Sequence, residues 1–204
     1  MANSRLSDAL EGPGALPPEG RILVLRPGVD SDLSALPPDR TLIVTGFCPD
    51  ADRLTGQGWQ VAEEAEGDFA AAVLFLPRAR ALARAMVATA SAAVVPGGAV
   101  WIDGQKHDGI DSALKDVRAR AEVGANLTRA HGRCFSFTNP GAAAFTDWVA
   151  LSSEVVPGFI TRPGVFSADG IDPGSALLAA HLPKDLKGKG ADLGAGWGWL
   201  AAQV

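Results

Sequence analysis

Apolar residues in this chain gather into short continuous runs rather than alternating with polar ones. The clearest are "ILVL" (Ile22–Leu25), "TLIVTG" (Thr41–Gly46), "AAAVLFLP" (Ala70–Pro77) and "GAVWI" (Gly98–Ile102). Such runs predict strands buried on both faces, as in a parallel sheet covered by helices. Helical spacing is expected over Asp50–Gly56, Arg78–Val94 and Gly109–Glu122. In the second of these Leu82, Met86 and Ala90 recur every fourth residue, with Arg78, Arg80 and Arg84 mostly on other faces. "PGG" at Pro96–Gly98 is expected to end that helix and turn the chain into the next strand. Strand and helix in alternation predict an α/β domain with right-handed crossovers.

Downstream the pattern changes. Leu127–Thr138 and Ala144–Val156 read as two further strands, the antiparallel edge of the same sheet, with "NPGAAA" as a turn-rich break between them. Pro157–Ser175 is dense in Gly, Pro and Asp, which puts a domain boundary near residue 157. Beyond it "GSALLAAHLP" predicts a short helix, "DLKGKG" a loop, and "ADLGAG" a strand running into a glycine loop, the start of a second α/β unit. The first nineteen residues read as a flexible N-terminus without the apolar core of a signal peptide.

At 204 residues, 47% hydrophobic and 20% charged, the chain suffices for one large domain, or one domain and part of another. A formal charge of −5 argues against a nucleic-acid binder that uses its whole surface. Residues 78–133 nevertheless hold nine Lys/Arg against five Asp/Glu, so a locally basic face stays open, as do solvated helix faces. Cys48 and Cys134 fall outside any CxxC spacing and read as idle thiols in a reducing compartment. His107, His131 and His181 share no ligand spacing, so no metal is expected. The longest uncharged stretch, Ala85–Ile102, is interrupted and too weakly apolar to span a bilayer. A cytoplasmic protein is expected.

The candidate chemistry lies in "ADLGAGWGWLAAQV" (residues 191–204), where Asp192 precedes Gly194, Gly196 and Gly198. Gly194 permits a tight turn, the next two let backbone approach a ligand, and the following helix start offers N–H groups to an anion. A dinucleotide fingerprint would place its third glycine at position 199, where Trp199 stands. The G-x-G-x-G spacing behind an acid suits S-adenosylmethionine better. A ligand-free packing turn is the alternative, and Trp197 either covers a ligand or packs.

The preceding segment bears on that choice. Pro163, Gly164, Val165, Phe166, Ser167, Asp169, Gly170, Asp172, Gly174, Ser175, Leu177 and Leu178, followed by the acid and glycine loop, closely resemble the small-domain methyltransferase family. That family includes the RsmC-type ribosomal RNA guanine-N2 methyltransferases, and the strong resemblance spans about 42 residues. A fainter one extends upstream. The family has two similar α/β halves, the first without its cofactor site. Here "GRILVLRPGVDSDLSAL" keeps the strand but has only Gly28 where the glycine loop would be, and "VVPGGAVWIDGQKHDGIDSAL" resembles the later strand and helix.

The resemblance implies a Rossmann-like class I methyltransferase fold: a degenerate N-terminal copy over 20–156, then a hairpin or linker and the truncated start of a cofactor-binding copy over 157–204. It implies S-adenosyl-L-methionine as cofactor, with Asp192, Gly194, Gly196 and Gly198 bordering its methionine part. Phe166, Ser167, Asp172, Gly174 and Ser175 would lie beside it, from the hairpin and helix that cover the pocket. The residues themselves leave other roles open: "DPGS" is also a capped helix start with Pro at its first position, and Phe166 could be a core contact.

The family's N-P-P-aromatic motif, which holds and stacks the target guanine, is missing, as is the acid that binds the ribose. "TNPG" (Thr138–Gly141) lacks the second proline and the aromatic, and reads as a turn. No catalytic residue is therefore assigned. The expectation is a truncated chain, inactive alone, from an enzyme that methylates guanine-N2 of small-subunit rRNA, with rRNA or the ribosomal subunit as partner. A non-catalytic scaffold or RNA-binding module is the competing reading. A nicotinamide oxidoreductase is disfavoured by Trp199 and by the upstream block.

Overall fold

The computed structural model describes residues 5–183 and 185–204. The chain divides into two compact units, Met1–Val149 and Ala150–Val204.

In the first unit the elements are α1 (Arg5–Leu10), β1 (Ile22–Leu25), β2 (Thr41–Val44), α2 (Cys48–Gly56), β3 (Gln60–Ala62), β4 (Phe69–Phe75), α3 (Arg80–Ala93), β5 (Val94–Gln105), α4 (Ile110–Arg118), β6 (Val123–Arg129) and β7 (Gly132–Thr138). The sheet runs β3-β2-β1-β4-β5-β7-β6. The first five strands are mutually parallel, and β7 is antiparallel to both of its neighbours. Burial on both faces explains the continuous apolar runs. In β1, Leu23 and Leu25 join the core beneath α3, α4 and the Ala142–Trp148 turns, while Ile22 and Val24 join the core beneath α1 and α2. All four are 0–3% exposed, and burying such a side chain contributes about 1.5–3 kcal/mol.

The structure departs from the sequence pattern at several places. Pro96–Gly98 does not separate α3 from the next strand, because β5 begins at Val94 directly after the helix. Phe69 lies opposite Val94 and Ala71 opposite Ala99, so the residues between Val94 and Ala99 are accommodated as a bulge. Gly98 is required there, since a Cβ would stand 2.6 Å from the Ala70 carbonyl oxygen. Asn139, 1% exposed, ties the bulge down. Its Nδ2 donates to the carbonyls of Ser91 (3.1 Å) and Val94 (2.7 Å), and its main chain pairs with Gly97 and Gly98. "TNPG" is thus a structural turn.

The antiparallel edge exists, but β6 and β7 build it. Leu127–Thr138 is not one strand; it turns back at Ala130 and His131, both left-handed at φ 49° and 56°. Nor is Ala144–Val156 a strand of this sheet. Ala142–Trp148 forms two 3₁₀ turns that meet at a kink at Phe145, and Phe145 and Trp148 enter the same core.

Within the segment expected to be flexible, 1–19, α1 and a few later residues make contacts with the sheet domain. Leu6 and Leu10 are buried in α1, Trp101 Nε1 donates to the Ala15 carbonyl at 2.9 Å, and Arg40 donates to the Pro17 carbonyl at 2.8 Å. Arg5 is 0% exposed, with Nε and Nη2 donating to the two Asp103 carboxylate oxygens at 2.6 and 2.9 Å. Its Nη1 donates to the Arg129 carbonyl at 2.9 Å. A guanidinium reaches such a site only because a bidentate partner waits there.

The second unit holds a hairpin of β8 (Ser153–Val156) and β9 (Phe159–Thr161), then α5 (Pro173–His181). The expected strand at 191–194 is a turn: no strand among the described residues lies beside that segment to accept its backbone bonds. The helix expected after the glycine loop is a single 3₁₀ turn, Ala201–Gln203. Leu177, Leu178 and Leu193 are 65%, 50% and 93% exposed, so α5 and the loop present apolar surface.

Candidate functional site

Two segments of the second unit meet around one cleft of about 80 Å³. Phe166, Ser167, Asp172 and Ser175 line it from one side in sequence, and Asp192, Gly194 and Gly196 from the other. Ala195, Trp197, Trp199 and Leu200 complete it; they sit between and after the glycines, and being neighbours of the loop was their only signal in the sequence. Gly174 and Gly198, also expected at the site, do not line it. Gly174 lies in the first turn of α5, where a Cβ would come 3.0 Å from Asp172 Oδ2. Gly198 closes the loop by donating its N–H to the Ala195 carbonyl at 2.9 Å.

The 163–175 segment is shaped by its own hydrogen bonds. Asp172 caps α5, its Oδ2 accepting from Ser175 N–H at 2.8 Å and from Ser175 Oγ at 3.2 Å, with Pro173 at the first helical position. Ser167 is left-handed at φ 52°, a conformation costing about 1–2 kcal/mol outside glycine. Its Oγ donates to the Gly170 carbonyl at 2.9 Å, which holds the turn closed. Thr161 Oγ1 in β9 donates to the Ala168 carbonyl at 2.6 Å and ties that turn to the hairpin. Phe166 is 68% exposed, so it is not a core side chain.

Across the cleft, Gly194, Gly196 and Gly198 have φ of 81°, 59° and 84°, and a Cβ at any of them would meet nothing within 4 Å. Backbone conformation, not crowding, therefore requires glycine here, and the space above the loop is open. Asp192 is exposed and makes no hydrogen bond or ion pair among the described residues. Trp197 packs edge-on against Phe159, ring centroids 5.3 Å apart. The cleft thus offers one uncommitted carboxylate, a loop whose glycines leave its backbone open to approach, and exposed aromatic surface.

The first unit has no counterpart of this loop. After β1 the chain passes through Arg26, Pro27 and Gly28 without starting a helix, and its next helical turn is Pro38–Arg40. The crevice at the carboxyl ends of β1, β4 and β5, where such sheets bind ligands, is lined by Asp30, Asp32, Asp103 and Asp108 beside Arg5. The basic stretch 78–133 is largely neutralised. Arg80 and Arg84 pair with Asp116, Arg120 with Asp147, Arg129 with Asp8, and Arg133 with Asp111. Hydrogen bonds from Arg120 hold the Asp147 carboxyl below its ordinary range. Among the described residues no group of three or more His, Cys, Asp or Glu is placed to hold a metal ion, and no helix is long and apolar enough to cross a membrane.

Two family models match the chain: the methyltransferase small domain N-terminal region over residues 51–136, and the methyltransferase small domain over residues 157–204. The ribosomal RNA small subunit methyltransferase C of Pseudomonas paraeruginosa is 36% identical over 145 residues, 68% of this chain and 43% of that protein. Its namesake from Ectopseudomonas mendocina is 32% identical over 161 residues, 76% of this chain and 48% of that protein. The chain therefore spans about half the length of the curated relatives it matches. Among solved structures, the T. thermophilus 16S rRNA N2 methyltransferase RsmC in complex with AdoMet and guanosine superposes with a TM-score of 0.64. It is 26% identical, over 85% of this chain and 50% of that one. With its Rossmann-like first unit and the two matched regions in order, the chain belongs to the RsmC-type branch of the small-domain methyltransferase family.

Proposed function

We propose that this chain carries the methionine-binding turn of an S-adenosylmethionine-dependent methyltransferase directed at guanine-N2 of small-subunit rRNA in the cytoplasm, joined to a first domain that does not bind the cofactor. The observation that carries the reading is the convergence of the 166–175 segment and the 192–196 loop on one cleft, with a free carboxylate on its rim. The relatives' names support the rRNA substrate, and the AdoMet and guanosine held by the T. thermophilus protein support cofactor and target.

The residues suit the cofactor's methionine end. Asp192 would take the ammonium, the backbone at Gly194 and Gly196 would pass close under the chain, and Phe166 and Trp199 would cover apolar atoms. At about 80 Å³ the cleft is well below the roughly 300–1,000 Å³ of a full ligand pocket, so it matches one end of the cofactor. Bound there, S-adenosylmethionine supplies a sulfonium methyl to an in-line amine, a reaction governed by positioning. Asp172 acts as the cap that sets the direction of α5. The 204 residues contain no N-P-P-aromatic string, so by themselves they are expected to transfer no methyl group to rRNA in a radiolabel assay.

Calorimetric titration with S-adenosylmethionine tests the reading. Asp192→Asn is expected to weaken binding at least tenfold, and Gly196→Val to abolish it. Asp172→Ala should weaken it, whereas Asp172→Asn, which still caps, should not. Absence of binding by the unaltered chain, equal binding by Asp192→Asn, or preference for a nicotinamide dinucleotide would each overturn the proposal.

A further inference from the structure

Among the described residues, no hydrogen bond, ion pair or ring contact joins the two walls of the cofactor cleft, 163–175 and 191–204, to each other. Each wall is joined instead to β9, the second strand of the hairpin. Thr161 Oγ1 donates to the Ala168 carbonyl at 2.6 Å and holds the wall that carries Phe166 and Ser167. The Phe159 ring meets Trp197 edge-on at 5.3 Å and holds the wall that carries the glycines. Neither Phe159 nor Thr161 lines the cleft itself.

Both anchors sit on one side of one strand, because side chains two residues apart in a strand point the same way. Exposure follows that alternation: Phe159 is half-buried, Ile160 is 70% exposed, and Thr161 is 2% exposed. Burial alone would select the reverse, with the isoleucine inside and the hydroxyl outside. The Thr161 hydroxyl is tolerated inside because the Ala168 carbonyl accepts its proton. The strand is itself braced. Ser153 pairs with Thr161 and Val156 with Phe159, and Gly158 at the tip donates its N–H to the Glu154 carboxylate at 2.7 Å.

We propose that β9 sets the width of the cofactor cleft, with Phe159 and Thr161 as positioning residues that each hold one wall. The spacing between these two side chains fixes the separation of Phe166 from the 194–196 loop. The proposal rests on the methyltransferase reading for what the cleft holds, though not for how the cleft is held. Its physical basis is preorganisation. A ligand that must first draw two loose walls together loses part of its binding free energy to ordering them. A braced strand behind both walls removes that loss before the ligand arrives.

The test measures S-adenosylmethionine affinity by calorimetry in the intact 204-residue chain. Phe159→Leu stays apolar but lacks the ring, and should weaken binding about three- to tenfold. Thr161→Val is isosteric but cannot donate, and should weaken it by a similar factor. Phe159→Tyr and Thr161→Ser keep the ring and the hydroxyl and should bind like the parent, as should Ile160→Ser on the outer side. Releasing either wall already frees the width, so Phe159→Leu combined with Thr161→Val should bind within about twofold of the weaker single variant. Losses that multiply, or an equal loss in Ile160→Ser, would show general weakening of the hairpin and overturn the proposal. Parent-like affinity in either Phe159→Leu or Thr161→Val overturns it too.

Amide exchange followed by NMR without ligand reads the same device independently of the cofactor. Gly198 N–H, bonded to the Ala195 carbonyl, should exchange faster in Phe159→Leu. Gly170 N–H, bonded to the Ser167 carbonyl, should exchange faster in Thr161→Val. Unchanged exchange at either overturns the proposal. A parent chain that binds no S-adenosylmethionine removes the methyltransferase reading, and the exchange rates then decide the role of β9 by themselves.

Discussion

Arg5→Met should lower the stability of the first unit by about 3–5 kcal/mol at neutral pH, because it strands the Asp103 carboxylate in the interior. Arg5 is 0% exposed, and its two bonds to Asp103 are the main compensation for burying that acid. Desolvation already raises the Asp103 pKa above its ordinary value, against the opposing hydrogen bonds and charge of Arg5; removing Arg5 raises it further. An acid whose folded pKa is raised holds its proton more tightly when folded. Its stabilising contribution is therefore present at low pH and is lost as pH rises through the folded value. The deficit of Arg5→Met relative to the parent should accordingly shrink as pH falls, and Asp103→Leu added to Arg5→Met should recover much of it. Denaturant unfolding at several pH values measures all three. A deficit under about 1 kcal/mol, or one that grows toward acid, would contradict the argument. Gly132→Ala should mimic the loss, since a Cβ there would collide with the Arg5 guanidinium and stand 2.6 Å from the Gly104 carbonyl oxygen.

Asn139→Asp should cost about 3–4 kcal/mol, more than Asn139→Ala at about 2–3 kcal/mol. The native amide donates to the carbonyls of Ser91 and Val94 and accepts from Gly141 N–H at 3.1 Å. Alanine leaves those carbonyls unpaired, whereas an aspartate sets a carboxylate against two carbonyl oxygens in the same buried space. Its folded pKa must rise, so the deficit of Asn139→Asp should narrow in acid while that of Asn139→Ala stays flat. Thermal or urea unfolding of both at two pH values provides the measurement, and the reverse order of stabilities would refute this account of the bulge.

The parallel strands were legible because burial on two faces leaves an unbroken apolar run, as at Ile22–Leu25. The β6–β7 turn was not, since Ala130 and His131 adopt a conformation usually marked by Asn or Gly. In α1 the four-residue spacing of Leu6 and Leu10 was present, but the partner that makes Arg5 tolerable lies 98 residues away. Phe145 and Trp148 carried a helical spacing that an apolar stretch disguised as a strand. The glycine-loop cleft was legible because two short local segments build it. A cleft at α3 and α4 was hidden by its dispersal: Arg80, Ser112 and Trp148 lie in α3, α4 and the 142–148 turns, which only the fold assembles.

The placement of α1 has a consequence for biosynthesis. The carboxylate and the carbonyl that receive Arg5 belong to Asp103 and Arg129, so the polar seat of α1 is complete only once over 120 further residues have been translated. At roughly 5–20 residues per second that interval is on the order of 6–25 s, far longer than the microseconds a helix needs to form and melt. During it Leu6 and Leu10 lack the β6–β7 hairpin they later pack beside, and the nascent chain carries their apolar surface without that cover. Closure of the sheet is thus ordered by synthesis: β6 and β7, the last strands of the seven-stranded sheet to emerge, capture α1.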